Sequence, residues 1–131
     1  MMKDNEEFEN DENIEIVELS EENPKDEFRE LLEKEESIEG GASISKSVYK
    51  TVHVTGTRFY FGVEQYRGTV FKNVMSGQGK ITENGNGRFE IADTSKKMGT
   101  HIVMVRIACM VKEGNYDKMK WYFYKILFTN I

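Results

Sequence analysis

The chain is poor in the residues that staple or stiffen a small fold. Its 131 residues include one proline, Pro24, and one cysteine, Cys109. A lone cysteine excludes an internal disulfide. Within an apolar strand its thiol acts as a small hydrophobe, which suits a reducing compartment and predicts an intracellular, cytoplasmic or nuclear protein. The two histidines, His53 and His101, are too few to make a metal site with it: His101 shares strand parity with Cys109 but stands roughly 26 Å away along an extended strand. No apolar window reaches the length of a membrane span, and the N-terminus is acidic where a signal peptide is basic and then apolar. These absences predict a protein with no membrane partner, not exported by that route.

Acid is scarce over most of the chain. Residues 43–131 hold 6 acidic and 14 basic side chains, a net charge of +8, whereas residues 1–42 hold 17 acidic and 4 basic, a net charge of −13. The overall −5 therefore joins an acidic arm to a basic domain, with the boundary at Gly40 and Gly41. The six carboxylates of the basic part, Glu64, Glu83, Glu90, Asp93, Glu113 and Asp117, sit mostly beside turns and show no paired spacing for acid–base work. No catalytic, cofactor or metal signature is legible, so the sequence predicts a non-enzymatic binding protein without cofactors.

What is present is a β pattern. The run Thr100–Lys112 is β-branched and apolar on both faces, with Val103, Val105, Ile107, Cys109 and Val111 on one side and Ile102, Met104, Ala108 and Met110, interrupted by Arg106, on the other. Such a strand belongs inside a sheet with material over each face. Alternation or glycine punctuation marks further strands at 48–54, 57–63, 68–75, 80–82, 88–92 and 119–129. Six or seven strands in about 85 residues predict an all-β fold, a small antiparallel barrel or sandwich that could be OB-like.

The arm reads differently. Residues 1–13 are nearly all charged or amide and predict disorder. Asn23-Pro24-Lys25-Asp26 is a helix start, and Phe28, Leu31 and Leu32 form one apolar stripe of a short helix over about 24–37. The stripe predicts a lid docked on the β-domain.

Ile14, Ile16, Val17 and Leu19, with Glu15, Glu18, Glu21 and Glu22 around Ser20, form a nine-residue patch that resembles a SUMO-interacting motif. The resemblance implies a peptide that adds a strand to a partner's sheet, with the aliphatics as anchors in a SUMO-like groove if the source is eukaryotic. Tyr66–Phe89, with Gly68, Gly77, Gly79 and Asn84-Gly85, resembles a single MORN-type hairpin without a second copy. Val54–Gly62 resembles the opening strand of a HIRAN domain. That family's acidic motif after the second strand is absent, and nothing is carried over.

Two functions follow. The first is a basic, aromatic β-domain that binds single-stranded DNA or RNA, with Arg58, Tyr60, Arg67, Lys120, Tyr122, Tyr124 and Lys125 as site residues. In Trp121–Tyr124 alternate rings face opposite ways: either Trp121 and Phe123 enter the core and Tyr122 and Tyr124 look out, or the reverse. The acidic arm would then compete for the basic face from within the chain. The second is a protein-interaction module, such as a viral or phage accessory, structural or inhibitor protein. Its acidic arm would engage a basic protein partner through Ile14, Ile16, Val17, Leu19, Phe28, Leu31 and Leu32.

Overall fold

The computed structural model describes residues 15–34 and 46–131. Ile14, the disorder expected over residues 1–13, the expected end of the helix beyond Lys34 and the Gly40–Gly41 boundary lie outside the described residues. Among the described residues eight strands and one helix follow in chain order: β1 (Ile16–Ser20), α1 (Lys25–Lys34), β2 (Lys46–Thr55), β3 (Arg58–Gly62), β4 (Tyr66–Ser76), β5 (Gly79–Gly85), β6 (Arg88–Asp93), β7 (Gly99–Glu113) and β8 (Tyr116–Asn130).

The strands form a five-stranded sheet, β1-β2-β8-β7-β4, and a three-stranded sheet, β3-β6-β5. β7 and β8 are the spine, a hairpin with fifteen paired positions from Gly99↔Asn130 to Glu113↔Tyr116. Its two-residue turn, Gly114-Asn115, starts with glycine at φ 65°, the conformation that suits the twist of a short hairpin. The run predicted to cross the core does so: β7 has a strand on each edge, and Val103–Cys109 are buried without a break.

Two cores result. Between the sheets, Val52, Val54, Phe59, Phe89, Ile91, Val103, Val105, Ile107, Cys109, Tyr122, Tyr124, Ile126 and Phe128 pack together. On the outer face of the large sheet, α1 lays Phe28 against Phe123 and Met104, with Leu31, Leu32, Tyr49, Met75 and Trp121 around them. Asn23 caps this helix, its Oδ1 accepting the Lys25 amide at 2.9 Å, and Asp26 and Glu27 stand in the first turn where the dipole favours acid. The lid expected from the stripe is thus a third layer over the sheet.

Four differences from the sequence expectations have physical reasons. Among the described residues no ladder joins the two sheets, so the barrel is not closed; closure needs an unbroken hydrogen-bond circuit. The pair β2–β8 is parallel, from Lys46↔Lys120 to Thr55↔Thr129, whereas an all-antiparallel fold was expected. Alternation of side chains is the same for either direction, so the sequence could not choose. The aliphatic patch is itself a strand: β1 pairs antiparallel with β2 from Ile16↔Thr55 to Ser20↔Thr51. Finally, Arg106 interrupts the apolar face of β7 yet is only 3% exposed. Its guanidinium lies 4.9 Å from the Phe71 ring centroid and 5.9 Å from that of Trp121, so ring faces take over part of the work of water.

Candidate binding surfaces

The residues assigned to nucleic-acid binding do not form one surface. Tyr122 and Tyr124 take the inward parity and are 6% and 7% exposed. The Tyr124 ring lies 4.5 Å from Phe61 and 5.3 Å from Phe59, and burial pushes both phenols up to about 12. Rings held there have no face to offer a base. Choosing them as base-stacking residues is therefore corrected: β8 faces inward through its even-numbered positions, because the small sheet covers that side. Lys120 sits at the rim with Nζ 5.2 Å over the Tyr122 ring. Arg67 lies at the same end of the molecule, 3.8 Å from Asp117.

Lys125 is also unavailable. It faces α1, is 8% exposed, and its Nζ donates to Glu22 at 2.9 Å and to both oxygens of Glu27 at 2.9 and 3.0 Å. Burial opposes its charge, but the hydrogen bonds it donates to Glu27 and Glu22 outweigh this and raise its pKa above the ordinary 10.5. The arm thus meets the basic domain at a defined salt bridge. Because the folded pKa is raised, this stabilisation is complete below the ordinary lysine value and disappears as pH rises through the raised one. A Glu22→Gln/Glu27→Gln double variant is expected to lose about 1 kcal/mol in urea unfolding at pH 7, a modest amount because both carboxylates are half exposed. Its difference from wild type should vanish at strongly alkaline pH.

Arg58 and Tyr60 do come together, on the outer face of the three-stranded sheet. Register places them in rows: Arg58 beside Ala92 and Lys80, Tyr60 beside Glu90 and Thr82, and Gly62 beside Arg88. Tyr60 is 53% exposed. Burial, Glu90 and Glu15 raise its phenol, with Arg58 opposing them. Arg58 Nε lies 3.5 Å from Glu90 Oε2. Tyr60, Gly62, Asn84 and Arg88, with the Phe61 and Phe89 positions below, bound a shallow depression of about 440 Å³.

No protein-family model, curated protein or solved structure matches the chain. Function must be argued from geometry.

The partner-binding residues also separate. Phe28 is fully buried and Leu31 and Leu32 are half-buried under α1, so these three hold the fold together. Ile16, Val17 and Leu19 are 53%, 45% and 73% exposed on β1. Among the described residues β1 has a strand on one side only.

Elsewhere, the Cys109 thiol is buried and pushed up to about 11, chiefly by burial. Asp93, Ser95 and His101 meet, but His101 Nδ1 takes both partners, Asp93 Oδ2 at 2.9 Å and Ser95 Oγ at 3.1 Å. A nucleophile relay needs the hydroxyl on the other ring nitrogen. This cluster ties the β6–β7 loop, with Asp93 Oδ1 also accepting the Ser95 amide at 3.0 Å. Among the described residues no three His, Cys, Asp or Glu side chains converge to hold a metal. Sequence reasoning missed Gly62, Lys80, Asn84 and Arg88 as parts of the Tyr60 face. The alternation Arg58-Tyr60-Gly62 was visible, but the strands that flank it were not.

Proposed function

We propose that this chain is a non-enzymatic protein-interaction module that recruits an extended, basic segment of a partner by strand addition along β1. One observation carries the reading: among the described residues β1 is an edge strand with three exposed aliphatic side chains, Ile16, Val17 and Leu19, set among Glu15, Glu18 and Glu21. Edge strands template pairing with other chains, and native proteins blunt them with lysine, proline or cover. β1 has neither residue. An incoming strand would gain main-chain hydrogen bonds from the edge, apolar contact from the three side chains and charge complementarity from the carboxylates.

Charge selects the occupant. Two copies of β1 paired antiparallel about their centre would set Glu18 against Glu18, with Val17 opposite Leu19; like charges directly across a sheet are destabilising. A lysine-bearing strand meets the same carboxylates favourably. The Lys125 salt bridge with Glu22 and Glu27 supports the reading from inside, since α1 clamps the segment that follows β1 onto the sheet and presents β1 already extended.

The test uses full-length protein labelled with ¹⁵N and a synthetic peptide of alternating valine and lysine. Amide shifts concentrated at residues 16–20, absent with the glutamate counterpart and lost in Leu19→Lys, are the expected result. Leu19 is exposed, so that variant should stay within about 0.5 kcal/mol of wild-type stability. Shifts elsewhere, or equal binding of the acidic peptide, would overturn the reading. So would a dimer in sedimentation that Leu19→Lys dissolves, because β1 would then be serving a second copy.

A further inference from the structure

The outer face of the three-stranded sheet is a separate surface with its own chemistry, and we infer that it is a stacking site for single-stranded nucleic acid. A base would lie on the Tyr60 ring, above Gly62, with phosphates on Arg58 and Arg88. This goes beyond strand addition at β1 and does not depend on it.

Three observations converge. Tyr60 is the exposed aromatic of this face, with Glu90 across from it and Arg58 two positions before it, while Gly62 two positions on leaves the far side of the ring open. A Cβ built at Gly62 meets nothing within 4 Å. Its φ is not in the left-handed region, so the backbone does not require glycine. A strand interior disfavours glycine, and open strand glycines mark places where another group approaches the backbone. The depression of about 440 Å³ lies there, walled by Tyr60, Arg88 and Asn84.

Charge indicates an anionic occupant. Arg58, Lys80 and Arg88 face outward against Glu90 on the same face and Glu15 near Tyr60, leaving a local excess of one positive charge. Arg58 and Arg88 lie at opposite ends of the face, four strand positions apart or roughly 14 Å along the strand direction. A chain of phosphates running along the sheet would therefore meet a cation on each side of the stacked base. Aromatic rings between cations are what sequence-tolerant single-strand binding uses, because every base has a π face. Asn84, at the rim, can donate to and accept from a base edge.

The experiment is fluorescence anisotropy of labelled oligo-dT and oligo-U with the full-length protein at two salt concentrations. Gly62→Val fills the slot without touching the core, and as a β-former in a strand it should leave the Tm at or above wild type. It should weaken binding about tenfold or more, as should Tyr60→Ala. Arg88→Ala should reduce the salt slope by about one. Leu19→Lys on β1 should leave oligonucleotide binding unchanged, which separates this site from the strand-addition surface. Tighter binding of one oligonucleotide than the other would identify the sugar preferred and support the site. Three results would overturn it: no binding by wild type, binding that survives both Gly62→Val and Tyr60→Ala, or equal binding of labelled poly-glutamate, which would make the face a site for acidic peptides.

Discussion

Replacing Phe28 with alanine is expected to cost about 3 to 5 kcal/mol of unfolding free energy, a large share of the 5 to 15 kcal/mol of a typical domain. Its side chain is fully buried, with the ring 5.1 Å from Phe123 and 6.3 Å from Tyr49, which themselves stack at 4.7 Å. Deleting it leaves a cavity that the two remaining rings cannot close, because Phe123 and Tyr49 are fixed to adjacent strands paired Tyr49↔Phe123. Urea unfolding should show a lower midpoint with little change in slope. A loss under 1 kcal/mol would mean that α1 is a detachable cover, and the autoinhibitory role expected of the arm would regain its appeal. The larger loss would mean that a chain starting at residue 43 lacks a structural layer. It would expose Phe123, Met104 and Tyr49, and its behaviour would report damage instead of release.

Gly77→Ala is the second large effect, expected at more than about 2 kcal/mol. Gly77 has φ +87°, and a Cβ there would lie 2.1 Å from the Ile102 carbonyl oxygen and 3.1 Å from Val103 Cα. Those are backbone atoms of β7 and cannot swing aside as a side-chain tip can. The residue marks the point where the chain leaves β4 in the large sheet and enters β5 in the small one, so the strain falls on the link that seats one sheet over the other. Chemical denaturation should again read the loss. Hydrogen exchange should show it concentrated in β5 and β6, because these strands depend on the crossover for their position. Gly85→Ala is the internal comparison: its φ is +95°, but nothing lies within 4 Å, so it pays for conformation alone and should lose less.

Much of this architecture was legible in local pattern. The strands of the β-domain appear within a few residues of where alternation and glycine predict them, and the helix begins where Asn23 and Pro24 signal it. The charge asymmetry is also local, but its meaning changes once residues 15–34 are seen docked. That segment carries 8 acids and 3 bases, so the basic part's +8 falls to +3 when they are counted together. The electrostatic argument for the Tyr60 face therefore rests on Arg58, Lys80 and Arg88 at one surface and not on the net charge.

The candidate sites were less legible, for reasons that particular residues make plain. Alternation indicates that Tyr122 and Tyr124 share a face but not which face the small sheet covers, and that choice decides whether they are core or contact. Lys125 reads as an exposed cation until Glu22 and Glu27, about a hundred residues earlier, close over it. β1 reads as a free peptide because strand addition is made by backbone groups that every sequence possesses.

By itself the sequence determined the period-2 strands, the helix start and stripe, the two-faced apolar β7 and the uneven charge, all of which arise from neighbours within a few positions. Only the tertiary structure decided the open pair of sheets, the parallel β2–β8 ladder, the capture of Ile16–Ser20 as an edge strand and the meeting of Arg58, Tyr60, Gly62 and Arg88. Each depends on pairing between distant segments, where hydrogen-bond geometry and the covering of one face over the other carry the information that residue spacing lacks.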